Sequence, residues 1–185
     1  MKRILFIALL LLGAASVANA ADVEDIKTMP GYVDLERIAV PDEAEELALI
    51  DLTPSLLQLA ASSSEDDPEL AKALAMVRSL RVKSFSLDDE YAKQLRPVIE
   101  EIEAELERDD WNRIIFVRDG DEMFSVSTKE HGDKIAGVMV MAFEPGDEAA
   151  FVNIIGEIDL ASLLHLALGM ENGDLEDLIE ELKDR

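Results

Sequence analysis

Residues Arg113–Ile158 read RIIFVRDGDEMFSVSTKEHGDKIAGVMVMAFEPGDEAAFVNIIGEI. Four β-prone runs, 113–118, 123–129, 134–143 and 149–158, are separated by Asp119-Gly120-Asp121-Glu122, His131-Gly132-Asp133 and Glu144-Pro145-Gly146-Asp147. Short glycine-containing turns between such runs join antiparallel neighbours, so the stretch predicts a four-stranded meander. Uninterrupted alternation puts Ile115, Val117, Met139, Met141, Phe143, Phe151 and Ile155 on one face. Ile114, Phe116, Val138, Val140, Val152 and Ile154 fall on the other. Both faces are apolar, so helices must cover at least one, and a face left open marks an interface.

Upstream of the meander, Leu87, Tyr91, Leu95, Val98, Ile99, Ile102 and Leu106 recur at helical spacing with acids on the reverse side. This is an amphipathic helix suited to lie on the sheet, and Pro97 within it predicts a kink or a fresh start near Arg96. Leu80–Leu87 and Leu47–Leu52 read as further strands. Thr53-Pro54 and Asp67-Pro68 each place a capping residue before a proline, opening helices through Leu57 and Leu74. The Ser62–Asp67 stretch between them suits an exposed loop. Nearer the start, Met29-Pro30-Gly31-Tyr32 suits a type II turn leading into a short strand at Tyr32–Leu35. After the meander, Asp159 caps a helix carrying Leu160, Leu163, Leu164 and Leu168 that Gly169 ends. The helices near Leu56, Leu74 and Leu164 are the candidates to cover the second sheet face. Residues 170–185 form a short acidic amphipathic helix or tail with Leu175, Leu178, Ile179 and Leu182 in a stripe. The expected class is α+β: an antiparallel meander sheet packed with helices in two layers, occupying residues 21–169 as a single domain.

Residues 1–20, MKRILFIALLLLGAASVANA, have a basic n-region, an apolar core too short to span a bilayer and an Ala-x-Ala end. They read as a cleavable signal peptide, with the mature chain starting at Ala21 in the periplasm or medium and no membrane span left after cleavage. The chain has no cysteine, which excludes a lipobox, a disulfide framework, a thiol nucleophile and a zinc-thiolate site. Without Lys2 and Arg3, 15 basic residues stand against 41 acidic ones, a formal charge of −26. Such a surface repels phosphate backbones and anionic lipid, so nucleic acid and membrane surfaces are not expected partners.

Several of these segments together resemble a known family: Pro30–Leu35, Leu80–Phe85, Trp111 at the end of a charged helix, the meander, and Asn153–Leu160. The chain is similar to the bacterial domain-of-unknown-function family 4252, whose members are small exported proteins or lipoproteins. The resemblance implies a cell-envelope setting and brings no activity, substrate or catalytic residue with it.

No catalytic motif emerges from the residues themselves. His131 sits in a turn and His165 among leucines, and neither has the nucleophile and orienting acid that a triad needs. There is no G-x-S-x-G, H-E-x-x-H or P-loop. Alternate turns of a meander lie at one sheet end, which would gather Asp119, Asp121, Glu122, Glu144, Asp147 and Glu148 as oxygen ligands for a divalent cation such as calcium. The leading expectation is a non-enzymatic protein that binds an unknown protein partner in the envelope. The alternatives are a cation-binding protein using those acidic turns and a carboxylate-dependent enzyme.

Overall fold

A computed structural model describes residues 26–63 and 68–158. In chain order the elements are β1 (Leu47–Leu52), α1 (Pro54–Ser63), α2 (Pro68–Met76), β2 (Val77–Ser86), α3 (Asp89–Arg108), β3 (Trp111–Asp119), β4 (Glu122–His131), β5 (Lys134–Glu144) and β6 (Glu148–Ile158). The strands form one antiparallel sheet in the order β1-β2-β6-β5-β4-β3. The fold is α+β, with the expected meander making up four of its six strands.

The hairpin turns follow their glycines. Gly120 and Gly132 take φ of 56° and 67° at the first central position of two-residue loops, which a side chain adopts only at a cost. Gly146, with φ 78° after Pro145, closes a turn in which the Asp147 N–H donates to the Glu144 carbonyl at 3.1 Å.

Helix α3 crosses from β2 to the far edge strand β3, and its twenty residues span about 30 Å. Asp88 caps it by accepting the Tyr91 N–H at 2.7 Å. Leu95, Ile99, Ile102 and Leu106 are buried against Met123, Met139, Met141, Phe143 and Phe151, so the apolar stripe faces the sheet. The helix is continuous through Pro97 and no second start forms near Arg96. Pro97 is exposed, so the carbonyl deprived of its donor is on the solvent side.

The segment read as a strand at Tyr32–Leu35 is not one. It is a strap crossing the α3 side of the sheet, with Val33, Leu35 and Ile38 in the core. A chain outside the ladder must find partners for its backbone elsewhere, and polar side chains of β2 and β6 supply them. Asn153 accepts the Val33 N–H at 3.1 Å and donates to the Gly31 carbonyl at 2.9 Å. Lys83 donates to the carbonyls of Leu35 and Ile38 at 2.8 and 2.7 Å, and Arg81 to that of Val33 at 3.4 Å. Burial, and then the Arg81 charge, hold the Lys83 ammonium below its usual range.

The turn before the strap also differs from type II. Tyr32 N–H does donate to Met29 O at 3.0 Å, yet Gly31 lacks the positive φ of type II. Gly31 is required instead by contact, because a Cβ there would stand 2.1 Å from the Ala136 carbonyl oxygen. The backbone of Gly137 sits against it.

That contact coincides with a bulge. Glu130 pairs with Ile135 but Lys129 pairs with Gly137, which leaves Ala136 as an extra residue in β5. One extra residue reverses the sides of everything beyond it. Val126 therefore opposes Val140 rather than Met139, and Ile115 and Val117, paired with Val126 and Phe124, lie on the face away from α3. The expected grouping of Ile115 and Val117 with Met139 and Met141 is corrected accordingly. Phe116, opposite Ser125 and so Met141, belongs to the α3 side. The assignments within β5 and β6 hold, with Met141 opposite Phe151 and Val140 opposite Val152.

Helices α1 and α2 pack on each other and on β2, α2 also reaches β6, and Leu57 and Leu74 are buried. Ser62 and Ser63, expected in a loop, finish α1. The helix expected near Leu164, residue His165 and the stretch 170–185 lie outside the described residues.

Candidate interaction surface

Strand β3 is one edge of the sheet. Trp111 is buried against the α3 side, and every residue from Asn112 to Asp119 is exposed. Ile114, Ile115, Phe116 and Val117 are 45%, 41%, 43% and 56% exposed, four consecutive large apolar side chains on a strand edge that no strand among the described residues pairs. Such an edge is a template for another chain. A bulge between Arg113 and Ile115 lets Trp111 face the core.

The charges on β3 fold back over it. The guanidinium carbons of Arg113 and Arg118 lie 4.8 and 5.3 Å from the centre of the Phe116 ring, within cation–π range. Arg113 also pairs with Glu103 of α3 at 3.2 Å. The strand thus presents an apolar centre flanked by two cations on a strongly acidic protein.

The outer sheet face continues inward from Ile115 and Val117 through half-buried Phe124, Val126, Val140 and Val152. From the sequence, the helices near Leu56, Leu74 and Leu164 are the candidates to cover this second apolar face, and a face left open is the alternative. Sequence reasoning did not single out the exposed edge itself, although four apolar residues between two arginines at 113–118 were the available signal.

The acidic turns are distributed as follows. Met123 opposes Phe143, so Asp119, Asp121 and Glu122 lie at the same sheet end as Glu144, Asp147 and Glu148. Asp121 is engaged by Arg96 of α3 at 3.1 Å. Burial, followed by the charges of Asp147, Glu144 and Glu46, raises the Glu148 carboxyl above its usual range. Among the described residues no group of three or more histidines or acids is placed to hold a metal ion. His131 is exposed in its turn.

One open hollow of about 540 Å³ lies beside Ala75, Met76, Arg78, Ile135 and Ile158. Its rim carries the Lys134–Glu157 ion pair, which holds the Glu157 carboxyl below its usual range. It sits where the chain leaves β6 for residue 159. No described helix is long and apolar enough to cross a membrane.

Residues 42–166 match the family model described as Domain of unknown function (DUF4252). The chain belongs to that family. The match runs from just before β1 to eight residues past the end of β6, covering the whole sheet. No curated protein and no solved structure matches the chain.

Proposed function

We propose that this DUF4252 protein is exported to the bacterial cell envelope and binds a protein partner there without catalysing a reaction, the partner adding an extended segment to β3. The exposure of Ile114–Val117 along an edge that no described strand pairs carries this reading. Backbone hydrogen bonds to the edge supply affinity in strand addition, and side chains on alternate faces supply selectivity. The arginines at both ends of the apolar centre favour a segment with acidic flanks. Export rests on the basic, apolar and Ala-x-Ala regions of residues 1–20.

A photo-reactive phenylalanine analogue at Val117, with a second at Leu49 on the opposite edge for comparison, tests this in living cells. A discrete heavier adduct from position 117 and none from position 49 is expected. No adduct at 117, or the same adduct at both positions, overturns strand addition at β3. Intact mass from the same preparation is expected to place the mature N-terminus at Ala21, and a chain still beginning at Met1 overturns export.

A further inference from the structure

The two faces of β3 differ in chemistry, and its bulge is the reason. Along an unbroken strand Arg113 would share a side with Ile115 and Val117, and Arg118 would lie on the other. The bulge leaves Ile114 as the extra residue and carries Arg113 across. Arg113, Phe116 and Arg118 now pair with Ser127, Ser125 and Met123, which oppose Met139, Met141 and Phe143 of the core under α3. Ile115 and Val117 pair with Val126 and Phe124 on the face away from α3. One side of the edge is therefore cationic around an aromatic ring, and the other is apolar at Ile115 and Val117.

The cationic side has charge to spare. Glu103 holds Arg113 at 3.2 Å, but among the described residues no carboxylate pairs with Arg118. Its guanidinium and that of Arg113 both converge on the Phe116 ring. Residues directly opposite in a ladder share a face, and diagonal neighbours are within reach of long side chains. On an added strand, a carboxylate opposite Phe116 or Arg118 therefore meets cations. Residues opposite Ile115 and Val117 meet apolar side chains.

We infer that the segment added to β3 alternates acidic and apolar residues, its acids on the α3 side against Arg118 and Arg113 and its apolar residues on the other side against Ile115 and Val117. The partner is thus an acidic, two-faced strand of another protein. This rests on strand addition at β3 as proposed above and supplies the chemistry of the added strand. Alternation is the essential feature, because the same residues in blocks set carboxylates beside Ile115 and Val117, where no cation compensates their desolvation.

Fluorescent peptides of about ten residues, titrated with the purified mature protein and followed by anisotropy, test the pattern. A peptide alternating glutamate and valine is expected to bind more tightly than the same residues arranged in two blocks. It is also expected to bind more tightly than a lysine–valine alternation, which the net charge of the protein would otherwise attract. Arg118→Glu, which leaves the Arg113–Glu103 pair in place, is expected to weaken the glutamate–valine peptide roughly fivefold or more. Lys72→Glu makes the same charge change at an exposed residue of α2 and is expected to leave the affinity within about twofold. Equal affinity for the blocked peptide, preference for lysine, no binding of any peptide, or equal losses from Arg118→Glu and Lys72→Glu each overturns the inference. A photo-adduct at position 117 with twice the mass of the chain also overturns it, by assigning the edge to a second copy. A discrete adduct to another protein at 117 alongside any of the adverse peptide results removes the acidic alternation and leaves strand addition standing, whereas loss of that adduct removes both.

Discussion

The centre of the sheet and its β3 edge reverse the usual placement of polar and apolar side chains. At the centre, Asn153 is wholly buried and Arg81 and Lys83 are half-buried, while at the edge Ile115, Phe116 and Val117 face solvent. The central polar groups are accounted for within the molecule, because each holds backbone of the strap. The edge apolar groups have no such account within the described residues. Buried polarity here serves a main chain that runs outside the ladder, and exposed apolarity marks a ladder that ends without a partner.

The contrast is most exposed to failure at Gly137. Replacing it with alanine puts a Cβ 2.5 Å from the Gly31 Cα and 2.9 Å from the Trp111 ring, and the Gly31 backbone cannot give way without shifting the strap. A loss of about 3 kcal/mol or more is expected, read as a fall in the denaturation midpoint with unchanged slope. A loss below about 1 kcal/mol would show that the strap is only loosely held. Next is Asn153→Ala, which leaves the Val33 N–H and the Gly31 carbonyl without their buried partner at a cost of about 2 kcal/mol. The edge should respond differently: Ile115→Lys is expected to change stability by less than about 0.5 kcal/mol while abolishing the partner adduct from position 117. Equal losses from Asn153→Ala and Ile115→Lys would erase the distinction between centre and edge.

The smallest effect concerns the acidic turn at the opposite end of the sheet from the strap's glycine contact. Glu148 has a raised carboxyl pKa in the folded state, so its ionisation costs stability as pH rises from the unfolded value through the folded one. At neutral pH the cost is fully present. Glu148→Gln is therefore expected to stabilise by a few tenths of a kcal/mol at pH 7, the group being partly solvated. The gain is expected to vanish in thermal melts below about pH 4. A destabilised variant at pH 7 would mean that Glu148 holds a favourable contact. The Arg37–Glu105 pair at 2.6 Å has the opposite sign. It ties the strap to α3 and, chiefly through its hydrogen bond, lowers the Glu105 pKa, so its contribution is lost as pH falls through that lowered value.

Much of the architecture is written locally. The meander, its glycine turns, the two cap-proline helix starts and the stripe of α3 each depend on residues a few positions apart, where turn geometry and the periods of strand and helix act directly. The family resemblance rested on the meander together with Pro30–Leu35, Leu80–Phe85, Trp111 and Asn153–Leu160. What the sequence by itself could not decide was the relation between segments. Whether Tyr32–Leu35 joins the ladder depends on partners more than a hundred residues away at Asn153. The side on which Ile115 and Val117 emerge depends on the bulge at Ala136, beside the contact of Gly31 with Gly137. A period of two makes one inserted residue enough to exchange the faces, and only the packed chain shows where that residue falls. The open edge has the same origin, since neither neighbours nor their absence is a property of β3 itself.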